Sequence, residues 1–252
     1  MWEGFTMEVL QRPGGELATR PIHFFWVVDC SGSMYGEKIG IVNNTIQECI
    51  PEMRSAADNN PNAQLLIRAL QFSSGASWIT SSPVPVEDYG WGDMDANGLT
   101  ELGKAFDLLA AQLSIPPMPE RALPPVIVLL SDGQPTDDYK KSMEKLKKLP
   151  WFRKAVKIAI SIGQDADDEV LIEFTGNKEL VLQANNATAL AKMIKWASTP
   201  AAFVSTPAAA SGASVASAPA DDPFAPANNG APLVLDMSNI PNPDDFDEGA
   251  VW

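Results

Sequence analysis

Asp29, Ser31 and Ser33 stand at positions i, i+2 and i+4 in the stretch Asp29-Cys30-Ser31-Gly32-Ser33, directly after the apolar run Ile22-His23-Phe24-Phe25-Trp26-Val27-Val28. One carboxylate and two hydroxyls bent around a single glycine form a hard-oxygen set of the kind that a divalent cation takes. Both hydroxyls are expected to face solvent from a loop. Two further segments carry oxygen donors beside apolar stretches. Asn97-Gly98-Leu99-Thr100 lies just ahead of an amphipathic stretch, where Thr100 either caps a helix or offers its hydroxyl to a ligand. Ser131-Asp132-Gly133-Gln134-Pro135-Thr136-Asp137 follows Val126-Ile127-Val128-Leu129-Leu130, the strongest buried-strand signal in the chain. Binding, rather than bond-breaking, is the chemistry this set first suggests.

The elements that must position these groups alternate along the chain. Near-continuous apolar runs predict strands over Pro21 to Asp29, Ala63 to Phe72, Pro124 to Ser131, Ala155 to Ile162 and Glu179 to Gln183. Ala76 to Thr80 is expected to pair back on the second of these through Ser73-Ser74-Gly75. Helical spacing of apolar residues predicts helices over Gly36 to Met53, Leu99 to Leu113, Asp138 to Leu149, Asp167 to Phe174 and Ala187 to Ala197. Strand and helix in alternation call for an α/β fold, a doubly wound, mostly parallel Rossmann-like sheet with helices on both faces. Ligands of such sheets bind outside the carboxyl ends of the strands, where all three oxygen-bearing loops are expected.

Composition narrows the function further. The chain has 252 residues and a net charge of -14, with scattered basic residues, which disfavours a nucleic-acid partner. Lys140, Lys141, Lys145, Lys147 and Lys148 form a dense basic group at helical spacing and read as a solvated helix face. Cys30 and Cys49 make no disulfide framework; both are expected to be packed as small apolar residues in a reducing compartment. Residues 1–19 form an N-terminal extension without the apolar core of a signal peptide, no run reaches the ~18 apolar residues of a membrane span, and a cytoplasmic location is expected. Residues 199–252 contain no Lys, Arg or His and carry -7 of the charge. Their Ala, Pro and Ser-rich first half reads as a flexible tether. The second half, with Asp244-Asp245-Phe246-Asp247-Glu248 and Val251-Trp252, reads as a docking peptide anchored by Trp252. Thr199-Pro200 and Thr206-Pro207 are weak candidates for kinase action.

Asp-x-Ser-x-Ser after the first strand, an isolated Thr100 after a glycine and Ser131-Asp132-Gly133 after a later strand together resemble the metal-ion-dependent adhesion site of a von Willebrand factor A domain. Within that family, Gly32-Ser33-Met34-x-Gly36 and Asp132-Gly133-Gln134-Pro135-Thr136-Asp137-Asp138 look closest to the bacterial tellurium-resistance TerY-like branch. The resemblance covers residues 20–198. It implies that Ser31 and Ser33 bind Mg2+ directly, that Asp29 and Asp132 act directly or through water, and that Thr100 ligates in one of two alternative states. Mn2+ or Ca2+ are the alternative ions. It further implies a non-enzymatic module whose last coordination position takes a carboxylate from a partner protein, and a bacterial stress or defence setting with a Ser/Thr kinase and a phosphatase of the PP2C type.

Enzyme readings fare less well on the residues. A phosphohydrolase using Asp29 as nucleophile is the alternative, but the second acid expected two residues on is Ser31 here. The sole histidine, His23, precedes the motif on the same strand and is poorly placed to activate a serine. It is expected to be packed. No Gly-x-x-x-x-Gly-Lys-Ser/Thr motif supports nucleotide hydrolysis. Glu87, Asp88, Asp93 and Asp95 predict a solvated loop, in which Tyr89 and Trp91 either pack or frame a partner surface. Trp2, Trp26, Trp78, Trp151 and Trp196 read as core or edge packing.

Overall fold

Along the first strand, β1 (Arg20–Asp29), the apolar run alternates between two cores. Phe24, Trp26 and Val28 belong to one cluster of buried side chains, and Phe25 and Val27 to the other. A strand covered on both faces has no use for polar residues, and each side chain so buried stabilises the fold by about 1.5–3 kcal/mol. The structure, a computed structural model, describes residues 20–58, 63–163 and 167–198; the expected extension 1–19 and the tether and tail 199–252, with their expected docking and phosphorylation segments, lie outside the described residues.

The strands are β1, β2 (Ala63–Ser73), β3 (Gly75–Trp78), β4 (Val84–Pro85), β5 (Val126–Ser131), β6 (Val156–Ile162) and β7 (Val181–Ala184). They form one sheet in the order β3-β2-β1-β5-β6-β7, with β4 also paired to β2. The pairings among β1, β2, β5, β6 and β7 are parallel; β3 and β4 run antiparallel to β2. Helices α1 (Glu37–Asp58) and α6 (Ala187–Ser198) cover the Trp26 face. Helices α2 (Leu102–Gln112), α3 (Tyr139–Lys148), α4 (Pro150–Lys154) and α5 (Asp168–Thr175) cover the Phe25 face. This is the doubly wound α/β sandwich expected from the alternation. Among the described residues no helix is long and apolar enough to cross a membrane.

Several boundaries differ from expectation for local reasons. The helix expected over 138–149 is α3, and a short helix that was not expected follows it: Leu149 precedes a proline and takes an extended conformation (ψ 130°), which ends α3, and Pro150 opens α4. Leu99 is not in α2 but exposed ahead of it. The last strand starts at Val181 because Lys178–Leu180 form a 3-10 turn. The loop aromatics resolve as packed: Tyr89 is buried and Trp91 is part of the first core's rim. His23 is buried, stacked on Phe25, and Cys30 and Cys49 are both buried with free thiols.

β1 has β2 on one side and β5 on the other, so the chain leaves β1 in one direction and later returns in the other. Loops leaving the carboxyl ends of β1 and β5 therefore diverge and leave a crevice between them. Asp29 closes one of these strands and Ser131 the other.

Candidate metal centre

Asp29 is buried at the end of β1 with 0% exposure. Its Oδ1 accepts the Ser31 backbone N–H at 2.8 Å, and its Oδ2 accepts the Ser131 hydroxyl at 2.6 Å. Desolvation pushes the Asp29 carboxyl above its ordinary pKa; the hydrogen bonds from Ser131 and Ser31 oppose this, and the negative charge of Asp132 adds to it. Asp132, one residue past β5, is 1% exposed, and its Oδ1 accepts the Ser33 hydroxyl at 2.7 Å. With that proton committed, Ser33 Oγ is the acceptor in its 3.0 Å contact with Ser31 Oγ. Lys38 Nζ donates to the other Asp132 oxygen at 2.7 Å.

The first and third loops thus meet through Ser33 and Asp132. Thr100 joins them. A Cβ built on Gly133 would lie 3.6 Å from Thr100 Oγ1 and 3.7 Å from Ser33 Oγ, so both hydroxyls border the small space above that glycine. The second and third loops are also tied through their backbones: Thr136 N–H donates to Thr100 O at 2.9 Å, and Thr100 N–H to Thr136 Oγ1 at 3.2 Å. All five expected positions, Asp29, Ser31, Ser33, Thr100 and Asp132, come to one edge of the sheet.

One expectation needs correction, and one open alternative is resolved. Ser31 does not face solvent; it is 2% exposed, while Ser33 is exposed as expected. The cause is its backbone bond to Asp29, which folds the loop over the strand end. Nor does Thr100 cap α2. That helix receives Asp137, whose carboxylate accepts from Gly103 N–H at 3.0 Å and Lys104 N–H at 3.3 Å.

Other positioning residues were missed by sequence reasoning. The second loop, between β4 and α2, has almost no regular structure and is held from α1 by Asn43 and Arg54. Asn43 Nδ2 donates to Met94 O at 2.9 Å, while its Oδ1 accepts from Trp91 Nε1 and Met94 N–H. Arg54 donates to Val86 O and Tyr89 O. A buried asparagine on an otherwise apolar helix face was the available signal for Asn43. At the loop's far end Gly98 accepts Gly32 N–H at 3.0 Å; its φ of +81° and the 2.6 Å that a Cβ would leave to Ser74 Oγ both exclude a side chain. Ser131 and Lys38 complete the shell around the two carboxylates.

The donors suit a hard cation. Among the described residues no cluster of three or more His, Cys, Asp and Glu is arranged to hold a metal; this edge offers two acids and draws its other oxygens from hydroxyls. Mg2+ keeps part of its water shell and prefers such oxygen sites. The residues therefore fit the ion that the motif implies.

Several solved structures share this architecture. A von Willebrand factor type A protein from Catenulispora acidiphila aligns with 74% of this chain and 43% of its own, at 15% identity and a TM-score of 0.53. Proximal thread matrix protein 1 from the mussel byssus, in a structure titled as having a zinc-occupied MIDAS motif, aligns with 73% of this chain and 48% of its own, at 18% identity and a TM-score of 0.55. The pilus adhesin SpaC from Lactobacillus rhamnosus GG aligns with 73% and 31%, at 13% identity and a TM-score of 0.59. This chain therefore has the von Willebrand factor A fold, and it spans less than half the length of each of these structures. No protein-family profile matches the chain, and neither does any curated protein sequence.

Proposed function

We propose that residues 20–198 form a Mg2+-dependent, non-enzymatic protein-interaction domain. Ser31, Ser33 and Thr100 would hold the ion, with Asp29 and Asp132 ligating directly or through water. When bound, the ion supplies a positive centre that attracts a carboxylate from a partner protein. The observation that carries this reading is the convergence of three hydroxyls and two buried carboxylates between the ends of β1 and β5. Tyr35, 79% exposed on the first loop, and Leu99, 55% exposed on the second, support it by adding apolar contact area to the loops that carry the donors. A neighbour titled with a zinc-occupied MIDAS motif adds support for a divalent ion at this place in the fold.

The finer reading is a cytoplasmic scaffold or adaptor of a TerY-like stress or defence system, with a Ser/Thr kinase and a PP2C-type phosphatase as partners; the motifs around Gly32 and Asp132 support it. A phosphohydrolase using Asp29 is less well supported, because both oxygens of that buried carboxylate already accept hydrogen bonds. Calorimetric titration of Mg2+ into the wild type and Ser33→Ala tests the site. Ser33 is exposed, so the variant should fold normally and lose affinity by about tenfold or more. Equal Mg2+ affinity in the two proteins would remove the assignment, and capture of kinase or phosphatase that is indifferent to chelator would remove the partner reading.

A further inference from the structure

Lys38 occupies the first turn of α1, where the helix dipole disfavours a cation. Its ammonium nevertheless turns inward, to 2.7 Å from Asp132 Oδ2, with the lysine side chain 18% exposed and the aspartate side chain 0%. The opposite oxygen of the same carboxylate accepts from Ser33, so Asp132 is shared between the lysine and the hydroxyl loop. Gly163, just past β6, lies beside the ammonium. A Cβ there would sit 3.4 Å from Lys38 Nζ, and the glycine's φ of +80° makes any side chain strained.

The charge count gives this arrangement a consequence. Asp29 and Asp132 as carboxylates and Lys38 as an ammonium leave the protein side of the centre at -1, where the two acids alone would give -2. A divalent ion would then sit in a centre of net +1 rather than one that is neutral. We propose that Lys38 is a built-in counter-cation that sets this charge: it weakens metal binding and keeps the bound metal electropositive, which favours a carboxylate over water or a neutral ligand in the remaining coordination position. The proposal rests on the metal-site reading above and adds to it the residue that tunes the preference for acidic partners. A divalent ion held beside Asp132 would share that carboxylate with the Lys38 ammonium and be repelled by it, so the expected change in metal affinity on removing the charge is about tenfold or more.

Lys38→Gln keeps a donor for Asp132 and removes the charge; Lys38→Arg keeps the charge. Mn2+ serves as the metal probe, followed by its electron spin resonance, and 13C-acetate as the carboxylate probe, followed by relaxation enhancement on the Mn2+-loaded protein. Lys38→Gln should bind Mn2+ about tenfold or more tightly and acetate several-fold more weakly than the wild type, and Lys38→Arg should stay close to the wild type in both. A folded Lys38→Gln with unchanged or weaker Mn2+ affinity, or with undiminished acetate binding, overturns the proposal. Should that variant fail to fold, the unaltered protein decides: the Lys38 13Cε resonance shifts on saturation with Mg2+, and a resonance that stays in place overturns the proposal. Ser33→Ala separates the two readings. If it loses Mn2+ while Lys38→Gln matches the wild type, only the role of Lys38 fails; if neither the wild type nor Lys38→Gln binds Mn2+, the metal site itself fails.

Discussion

Arg68 on β2 and the Asp29–Asp132 centre are both buried charges in one sheet, and their surroundings differ in kind. Arg68 is 7% exposed; it donates to Thr80 O, Ser81 O and Gln112 Oε1, and its guanidinium lies 4.1 Å over the Trp78 ring. Its acceptors are carbonyl oxygens fixed within the domain, and a guanidinium has donors only. At the carboxyl edge Asp29 is held by the Ser131 hydroxyl and the Ser31 N–H, and Asp132 by Lys38 and the Ser33 hydroxyl; hydroxyls keep spare lone pairs, and Ser33 among them is exposed. A buried charge whose partners are all internal acts as a clamp. A buried charge reached through an exposed hydroxyl can take on a further ligand, and that is what distinguishes the candidate site from the polar core.

Arg68→Met is the strongest test of that distinction. Removing the clamp strands the buried Gln112 side chain, frees the carbonyls of Thr80 and Ser81 and takes away the packing on Trp78, and should lower unfolding free energy by about 2–4 kcal/mol in a denaturant titration. Mg2+ affinity should be unchanged. A variant of normal stability, or one with altered Mg2+ affinity, would show that the two regions are coupled and not separate in kind.

His23 offers a second polar group sealed inside the sheet. Among the described residues neither ring nitrogen has a hydrogen-bond partner, and burial lowers its pKa to about 4. Above pH 6.5 the ring is neutral whether the chain is folded or not, so it adds no pH dependence. As pH falls from 6.5 towards 4 the unfolded chain takes up a proton that the folded one refuses, and stability falls by about 3 kcal/mol across that window. His23→Phe should flatten the slope of unfolding free energy between pH 6.5 and 4; an unchanged slope would mean that the ring is not sealed.

These contrasts also explain which parts of the molecule were legible in the sequence. Strand runs such as Val126 to Leu130 and the inward set Leu102, Ala105, Phe106, Leu109 and Leu113 carry their burial in their periodicity, so the sheet and its layers could be written down from them. The donors of the centre were legible because hydroxyls and acids cluster at strand ends in short, glycine-bent segments. What holds those donors was not. Asn43, Arg54 and Lys38 act across separations of 32 to 94 residues, and a lone polar residue shows no spacing to read; Ser131 and Asp137 stood in a segment the sequence singled out, but nothing in it pointed to their partners, 102 and 34 residues away. Lys38 in particular looks like any lysine on a helix until Gly163 and Asp132 are placed beside it.

The smallest effect is expected where charge is neither buried nor shared. Lys145 on α3 and Asp107 on α2 pair at 2.8 Å with side chains 54% and 46% exposed, and the hydrogen bond from Lys145 holds the Asp107 carboxyl below its usual pKa. Water solvates both partners whether or not they meet, salt screens them, and two long side chains lose freedom to hold one geometry. Lys145→Ala should therefore change unfolding free energy by less than about 0.5 kcal/mol, and added salt should erase even that. The same chemical pair at Lys38 and Asp132 sits against a carboxylate with no exposure, so its loss leaves a buried anion that water cannot reach. If Lys145→Ala proved as costly as Lys38→Gln in the same denaturant titration, burial would not be what separates the two pairs, and the clamp-versus-site distinction would lose its physical basis.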